Sequence, residues 1–130
     1  MSNEIKLDIA GQLTKAQELR FTQQGKAVAS FTVAVNSAYR DNDGKWVERE
    51  PVFFDCVVWG EQAERAAERL TAGDRVIVKG QLVGRSFTAT QGERAGQTIR
   101  RQEIQVDEIG VSLLRADVQV TRIKRDKAGS

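Results

Sequence analysis

Residues 53–82, FFDCVVWGEQAERAAERLTAGDRVIVKGQL, change periodicity twice, from alternation to a helical repeat and back to alternation. In the first part, Phe54, Cys56 and Val58 fall on one side of a strand, and Phe53, Asp55, Val57 and Trp59 on the other. The middle part, GEQAERAAERL, sets Ala63, Ala66, Ala67 and Leu70 at i, i+3, i+4 and i+7 with charges elsewhere, which predicts an amphipathic helix capped by Gly73. The last part resumes alternation in DRVIVKGQLVGRSFTAT, a long strand or bent pair in which Gly80 and Gly84 allow sharp coiling. A strand, one helix and a strand at the centre of the chain frame everything on either side.

Upstream, Ile5, Leu7, Ile9 and Leu13 alternate around Gly11, where a bend is expected, and Leu19 and Phe21 precede a turn at QQGK. AVASFTVAVNSA buries Ala29, Phe31, Val33 and Val35 on one side. Phe21 and Phe31 both read as core. RDNDGK makes a hairpin tip, because Asp-Gly supplies the positive φ that tight turns need. Downstream, QGERAGQ is a second tip, TIRRQEIQV a return strand, and GVSLLRADVQVTR adds one more short strand. Three strands, a helix and two strands, with one appended, give an all-β OB-fold: a five-stranded Greek-key barrel with one interposed helix and an extra C-terminal strand. Residues 1–121 form this domain and 122–130 a short basic tail.

Composition narrows the chemistry. A chain of 130 residues is one domain large enough for its own core. The net charge of +2 gives no general attraction to polyanions, so any such surface has to arise by local segregation of charge. The chain has no His, and therefore no imidazole base, metal ligand or nucleophile partner. Its single Cys56 excludes an internal disulfide, fits a reducing cytoplasm, and reads as a small buried hydrophobe. Asp41, Asp43, Gly44 and Glu50 match the third, fifth, sixth and twelfth places of a calcium loop. The first place is Tyr39 and the flanks alternate as strands, so a solvated tip is the better reading. No spacing singles out a catalytic pair among Glu48, Glu50 and Asp55. Neither an apolar span nor a signal-like segment opens the chain at MSNEIKLDIAGQ.

The puzzle is a carboxylate between two rings, which implies that Phe53 and Trp59 face water. The second long strand repeats the pattern: Lys79, Gln81, Val83, Arg85 and Phe87 share a face. Trp46 and Tyr39 flank the first tip with Arg40, Lys45 and Arg49. Arg94, Arg100 and Arg101 make the second hairpin basic as well. Rings interleaved with cations suit single-stranded nucleic acid, whose unpaired bases stack on ring faces while Lys and Arg follow the phosphates. Exposed Trp and Arg also mark subunit interfaces, which is the less favoured reading of the same pattern. The parity of Tyr39 matches that of buried Phe31 unless the hairpin twists before it.

Three blocks, GQLTKAQELRFTQQGKAVASFTVAVNSAYRD, FFDCVVWGEQAERAAERLTAGDRVIVKGQL and GRSFTATQGE, resemble the bacterial single-stranded-DNA-binding protein family, and VDEIGVSLL is similar to its actinobacterial branch. The likeness spans residues 4–118. It implies an OB-fold protomer, a homotetramer and sequence-independent coating of single-stranded DNA in the cytoplasm during replication, recombination or repair, with neither cofactor nor catalysis. The family's stacking rings correspond to Tyr39, Phe53, Trp59 and Phe87. Relatives often carry Lys or Arg where this chain has Asp55, Glu61, Ala72 and Ser86, whereas Arg85 is retained. Asp55 and Glu61 bracket Trp59, which implies weaker binding and a shallower salt slope. In place of a long tail with an acidic tip that recruits repair proteins, the sequence given closes on basic RIKRDKAGS. An accessory OB-fold subunit of primosome or recombination type is the alternative within this resemblance.

Overall fold

A computed structural model describes residues 3–15 and 17–124. Residues 125–130, most of the basic tail, lie outside the described residues. The elements are β1 (Lys6–Leu13), β2 (Glu18–Phe21), β3 (Ala27–Val35), β4 (Ala38–Arg40), β5 (Trp46–Glu48), β6 (Val52–Trp59), α1 (Glu61–Arg69), β7 (Arg75–Thr88) and β8 (Thr98–Val111). One sheet runs β1-β7-β8-β6-β3-β2, and β1 also pairs with β3, which closes five strands into a ring. Pairings are antiparallel except β6 with β8, where Asp55, Cys56 and Val57 lie opposite Glu103, Ile104 and Gln105. This is the OB-fold barrel, with β2 added on the flank of β3 and β4–β5 standing apart as a separate hairpin.

Alternation puts Leu13, Phe31, Val33, Cys56, Val58, Val76, Val78 and Ile104 inside, where they are almost wholly buried. Helix α1 closes the barrel end with its smallest side chains: Ala63 and Ala66 are buried, so the helix backbone lies close against the strands. Gly60 begins the helix at φ 78° and donates its N–H to Ala27 O at 2.9 Å. The helix ends at Leu70 in extended conformation, so Gly73 is not the C-cap. Gly73 takes its positive φ of 95° in the following turn, where Thr71 N donates to Asp74 Oδ2 (2.8 Å) and Gly73 N to Leu13 O (2.7 Å).

Two glycines are dictated by crowding. A Cβ at Gly11 would overlap the Ala34 carbonyl oxygen, at the seam where β1 leaves β7 for β3. A Cβ at Gly80 would overlap the Gln105 carbonyl oxygen, beside a register shift that leaves Asp107 as the extra residue of β8. Gln62 of α1 clasps that bulge, donating to Asp107 O at 3.1 Å and accepting from Ile109 N at 2.8 Å. Gly84 has open space around it.

Three more features differ from the sequence-based expectation. Phe21 is 59% exposed rather than core, because all four residues of β2 are exposed. Val57 is buried despite sharing a face with Asp55, since it forms the floor of a groove between flanking side chains. The extra C-terminal strand does not form: β8 absorbs Gly110 and Val111, and the described residues 112–124 contain no strand. Beyond β8, Ala116, Val118, Thr121 and Ile123 instead line a cleft with Arg65, Arg69 and Leu70 at the end of α1.

Candidate nucleic-acid interface

Register converts the strands into a lattice of side chains on the outer face of the barrel. Thr32, Asp55, Glu103 and Val83 form one row across β3, β6, β8 and β7. Ser30, Val57, Gln105 and Gln81 form the next, and Arg20, Val28 and Trp59 continue toward the end near α1. A groove follows these rows. One end holds Trp59, Phe21, Arg20 and Arg85; the middle holds Lys15, Asp55, Arg85, Phe87, Arg101 and Glu103; the far end holds Phe53, Arg100 and Arg101.

The rings stand open. Trp59 is 41%, Phe53 61% and Phe87 44% exposed. Each of the two flanking the groove carries a cation: Lys26 Nζ lies 5.4 Å from the Trp59 centroid and the Arg101 guanidinium 6.0 Å from that of Phe87. On the separate hairpin, Arg49 lies 4.9 Å from Tyr39 and Arg40 4.9 Å from Trp46. Tyr39 escapes the parity of Phe31 because β3 ends at Val35 and β4 pairs only with β5, so alternation does not carry across. A ring paired with a cation is a small recognition unit for a nucleotide: the π-face takes the base and the cation the phosphate.

The sequence-predicted residues thus fall into groups. The groove brings together Phe53, Trp59, Phe87, Arg85, Arg100 and Arg101. Tyr39, Trp46, Arg40, Lys45 and Arg49 sit on the β4–β5 hairpin, and Arg94 on the β7–β8 tip. Lys79 lies between Asp8 and Glu108 in register and does not line the groove. Glu61 does not line the groove. It opens α1 and pairs with Arg65 at 3.0 Å. The carboxylate of Asp41 accepts from the N–H groups of Asp43 and Lys45, both at 2.9 Å, and so organises the hairpin turn.

Sequence reasoning missed Phe21, Lys26, Arg20 and Glu103. ELRF carried both a ring and a cation, but its alternation could not show that β2 is uncovered. Glu103 faces the groove with only 11% of its side chain exposed. It accepts from Arg85 Nη1 at 3.0 Å and from the Gln105 side-chain amide. Asp55, its register neighbour, accepts from the Thr32 hydroxyl at 3.1 Å.

Beneath them, burial pushes the Cys56 thiol up from 9.0 to about 12, with the Asp55 and Glu103 charges adding to the effect. The folded state therefore holds this proton more tightly than the unfolded chain. The resulting stability is fully present below pH 9 and is lost as pH rises toward about 12. In native protein at pH 8, Cys56 should resist a thiol-specific disulfide reagent, and it should react fully once the protein is unfolded in guanidinium. Rapid native labelling would show that the barrel opens there.

Comparison with known proteins gives a consistent picture. Residues 4–112 match the family described as "Single-strand binding protein family". The chain is 44% identical over 126 residues to the single-stranded DNA-binding protein of Mycobacterium tuberculosis, covering 96% of this chain and 74% of that one. It is 40% identical over 123 residues to single-stranded DNA-binding protein 2 of Streptomyces coelicolor, covering 94% and 60%. In structure it is similar to the small single-stranded DNA-binding protein from Streptomyces coelicolor, with a TM-score of 0.73, 27% identity, and coverage of 88% of this chain and 100% of that one.

Proposed function

Since this chain belongs to the single-strand binding protein family, we propose that its groove is the track along which it binds single-stranded DNA without regard to sequence. The family is non-enzymatic, and its general service is to hold exposed strands during replication, recombination and repair. Bases stack on Trp59, Phe87 and Phe53, each stack giving about 1–3 kcal/mol, while Lys26, Arg100 and Arg101 meet phosphates. A duplex presents its base faces only to one another, so the rings select unpaired strands. Tyr39, Trp46, Arg40, Lys45 and Arg49 on one hairpin, Arg94 on the other tip, and Lys79 extend the path beyond the groove. A homotetramer in the cytoplasm is the proposed working form. No described helix is long and apolar enough to cross a membrane.

The observation that carries this reading is the pairing of exposed rings with cations at one end and in the middle of one groove. Its test is the fluorescence of Trp46 and Trp59 during titration with oligo-dT, duplex DNA and RNA. Strong quenching by oligo-dT with little by duplex is expected. No quenching at low salt would instead support the accessory-subunit reading, which the acidic row Asp55–Glu103 favours. Asp55→Arg should tighten oligo-dT binding and steepen the slope of log K against log salt by about 0.7 per phosphate gained. An unchanged slope would remove Asp55 from the binding face.

A further inference from the structure

We propose that Glu103 limits phosphate binding in the groove by holding Arg85 in a permanent ion pair, an inference that rests on the reading above. Arg85 is the cation shared by the middle of the groove and its Trp59 end. Its guanidinium is largely exposed, whereas its partner carboxylate is almost out of water, and they meet at 3.0 Å. That asymmetry decides which partner yields. Were Arg85 to leave for a phosphate, Glu103 would remain desolvated beside Asp55, its register neighbour, with only the Gln105 amide to satisfy it.

Arg85 therefore stays on Glu103 when DNA binds, and its remaining N–H groups still reach outward. It acts as a positioned hydrogen-bond donor whose charge is already cancelled, and it displaces no counterion from the strand. The charge balance of the middle groove follows the same logic. Lys15, Arg85 and Arg101 face Glu18, Asp55 and Glu103 there, so net attraction for phosphate is left to the ends. Bases, which carry no net charge, are tolerated over this neutral centre, and phosphates are directed to Arg100, Arg101 and Lys26 at its borders.

Glu103→Gln removes the charge; its one side-chain oxygen can keep the bond from Arg85, while its new NH2 faces Gln105, whose amide can flip to accept. In titrations of the intact protein with labelled oligo-dT across a salt series, this variant should bind on the order of ten-fold more tightly at low salt, with a slope steeper by about 0.7. Arg85→Ala in the wild-type background should leave the slope unchanged. In the Glu103→Gln background it should restore the wild-type slope, a dependence on background that a merely structural role for Glu103 would not produce. Weaker binding or an unchanged slope for Glu103→Gln overturns the proposal, as does a flatter slope for Arg85→Ala alone. Wild-type protein that fails to bind oligo-dT at all overturns the functional reading itself, which is a separate result.

Discussion

Trp59→Ala should weaken oligo-dT binding by about 2 kcal/mol, roughly thirty-fold, while leaving the fold intact. Trp59 lies on the outer face of β6, opposite in parity to buried Val58, so truncation leaves the core untouched. The indole offers the largest stacking area in the groove, and it stands at the end where Phe21 and Arg20 also converge. Lys26 is held over the ring and loses its anchor in the variant, which spreads its charge over more positions. Fluorescence anisotropy of an end-labelled oligo-dT measures the loss, and a urea melt shows whether stability is retained. A purely stacking defect lowers affinity with little change in salt slope. A flatter slope would mean that Lys26 needs the ring to reach its phosphate. Phe87→Ala, with a smaller ring, should cost about 1 kcal/mol.

Gly11→Ala should cost the domain about 3 kcal/mol or more, a large share of the roughly 5–15 kcal/mol that holds a domain of ordinary stability together. The new methyl is aimed at the Ala34 carbonyl oxygen, with the Ala34 carbonyl carbon and Val33 Cγ1 also within 3.0 Å. Backbone atoms have no rotamer with which to retreat, so relief requires β1 and β3 to move apart. Their pairing is confined to Gln12 with Ala34 and Leu13 with Val33, so a small displacement opens the ring. Gly84→Ala is the matched control, in open space and without a positive φ, and should be neutral within about 1 kcal/mol. Equilibrium urea unfolding of both variants distinguishes a seam requirement from a general intolerance of alanine in β strands. Equal midpoints would show that the seam is looser than the contact implies.

Much of the barrel was legible because its main strands differ on their two faces. In β6, Phe54, Cys56 and Val58 against Phe53, Asp55 and Trp59 told inside from outside without any partner in view. Legibility failed wherever the answer depended on what lies alongside. Phe21 alternates properly with Leu19, but alternation cannot reveal that a strand flanks the ring without being covered. The bury-and-cap logic of GEQAERAAERLTAG found the helix but assigned its end to Gly73, whose left-handed backbone serves the next turn. Glu103 was hidden for a related reason. EIQV names an acid in a strand, whereas its meeting with Arg85 depends on a register between β7 and β8 that no local pattern encodes. The candidate rings were easier, because a carboxylate and several cations beside them marked that side as wet.

The way the ring closes also sets when this protein can exist during its own synthesis. β1 finds its main partner in β7, from Lys6 opposite Gln81 to Gln12 opposite Arg75. The first strand made must wait for nearly the last, and at about 5–20 residues per second that interval is several seconds on the ribosome. Until then β3 and β6 can pair, but the seam at Gly11 has nothing to lock against on its β7 side. Contacts of such long sequence separation make folding slow for a domain of this size. During that delay the nascent chain carries β1 without its main hydrogen-bonding partner, so the barrel closes only after β7 has emerged.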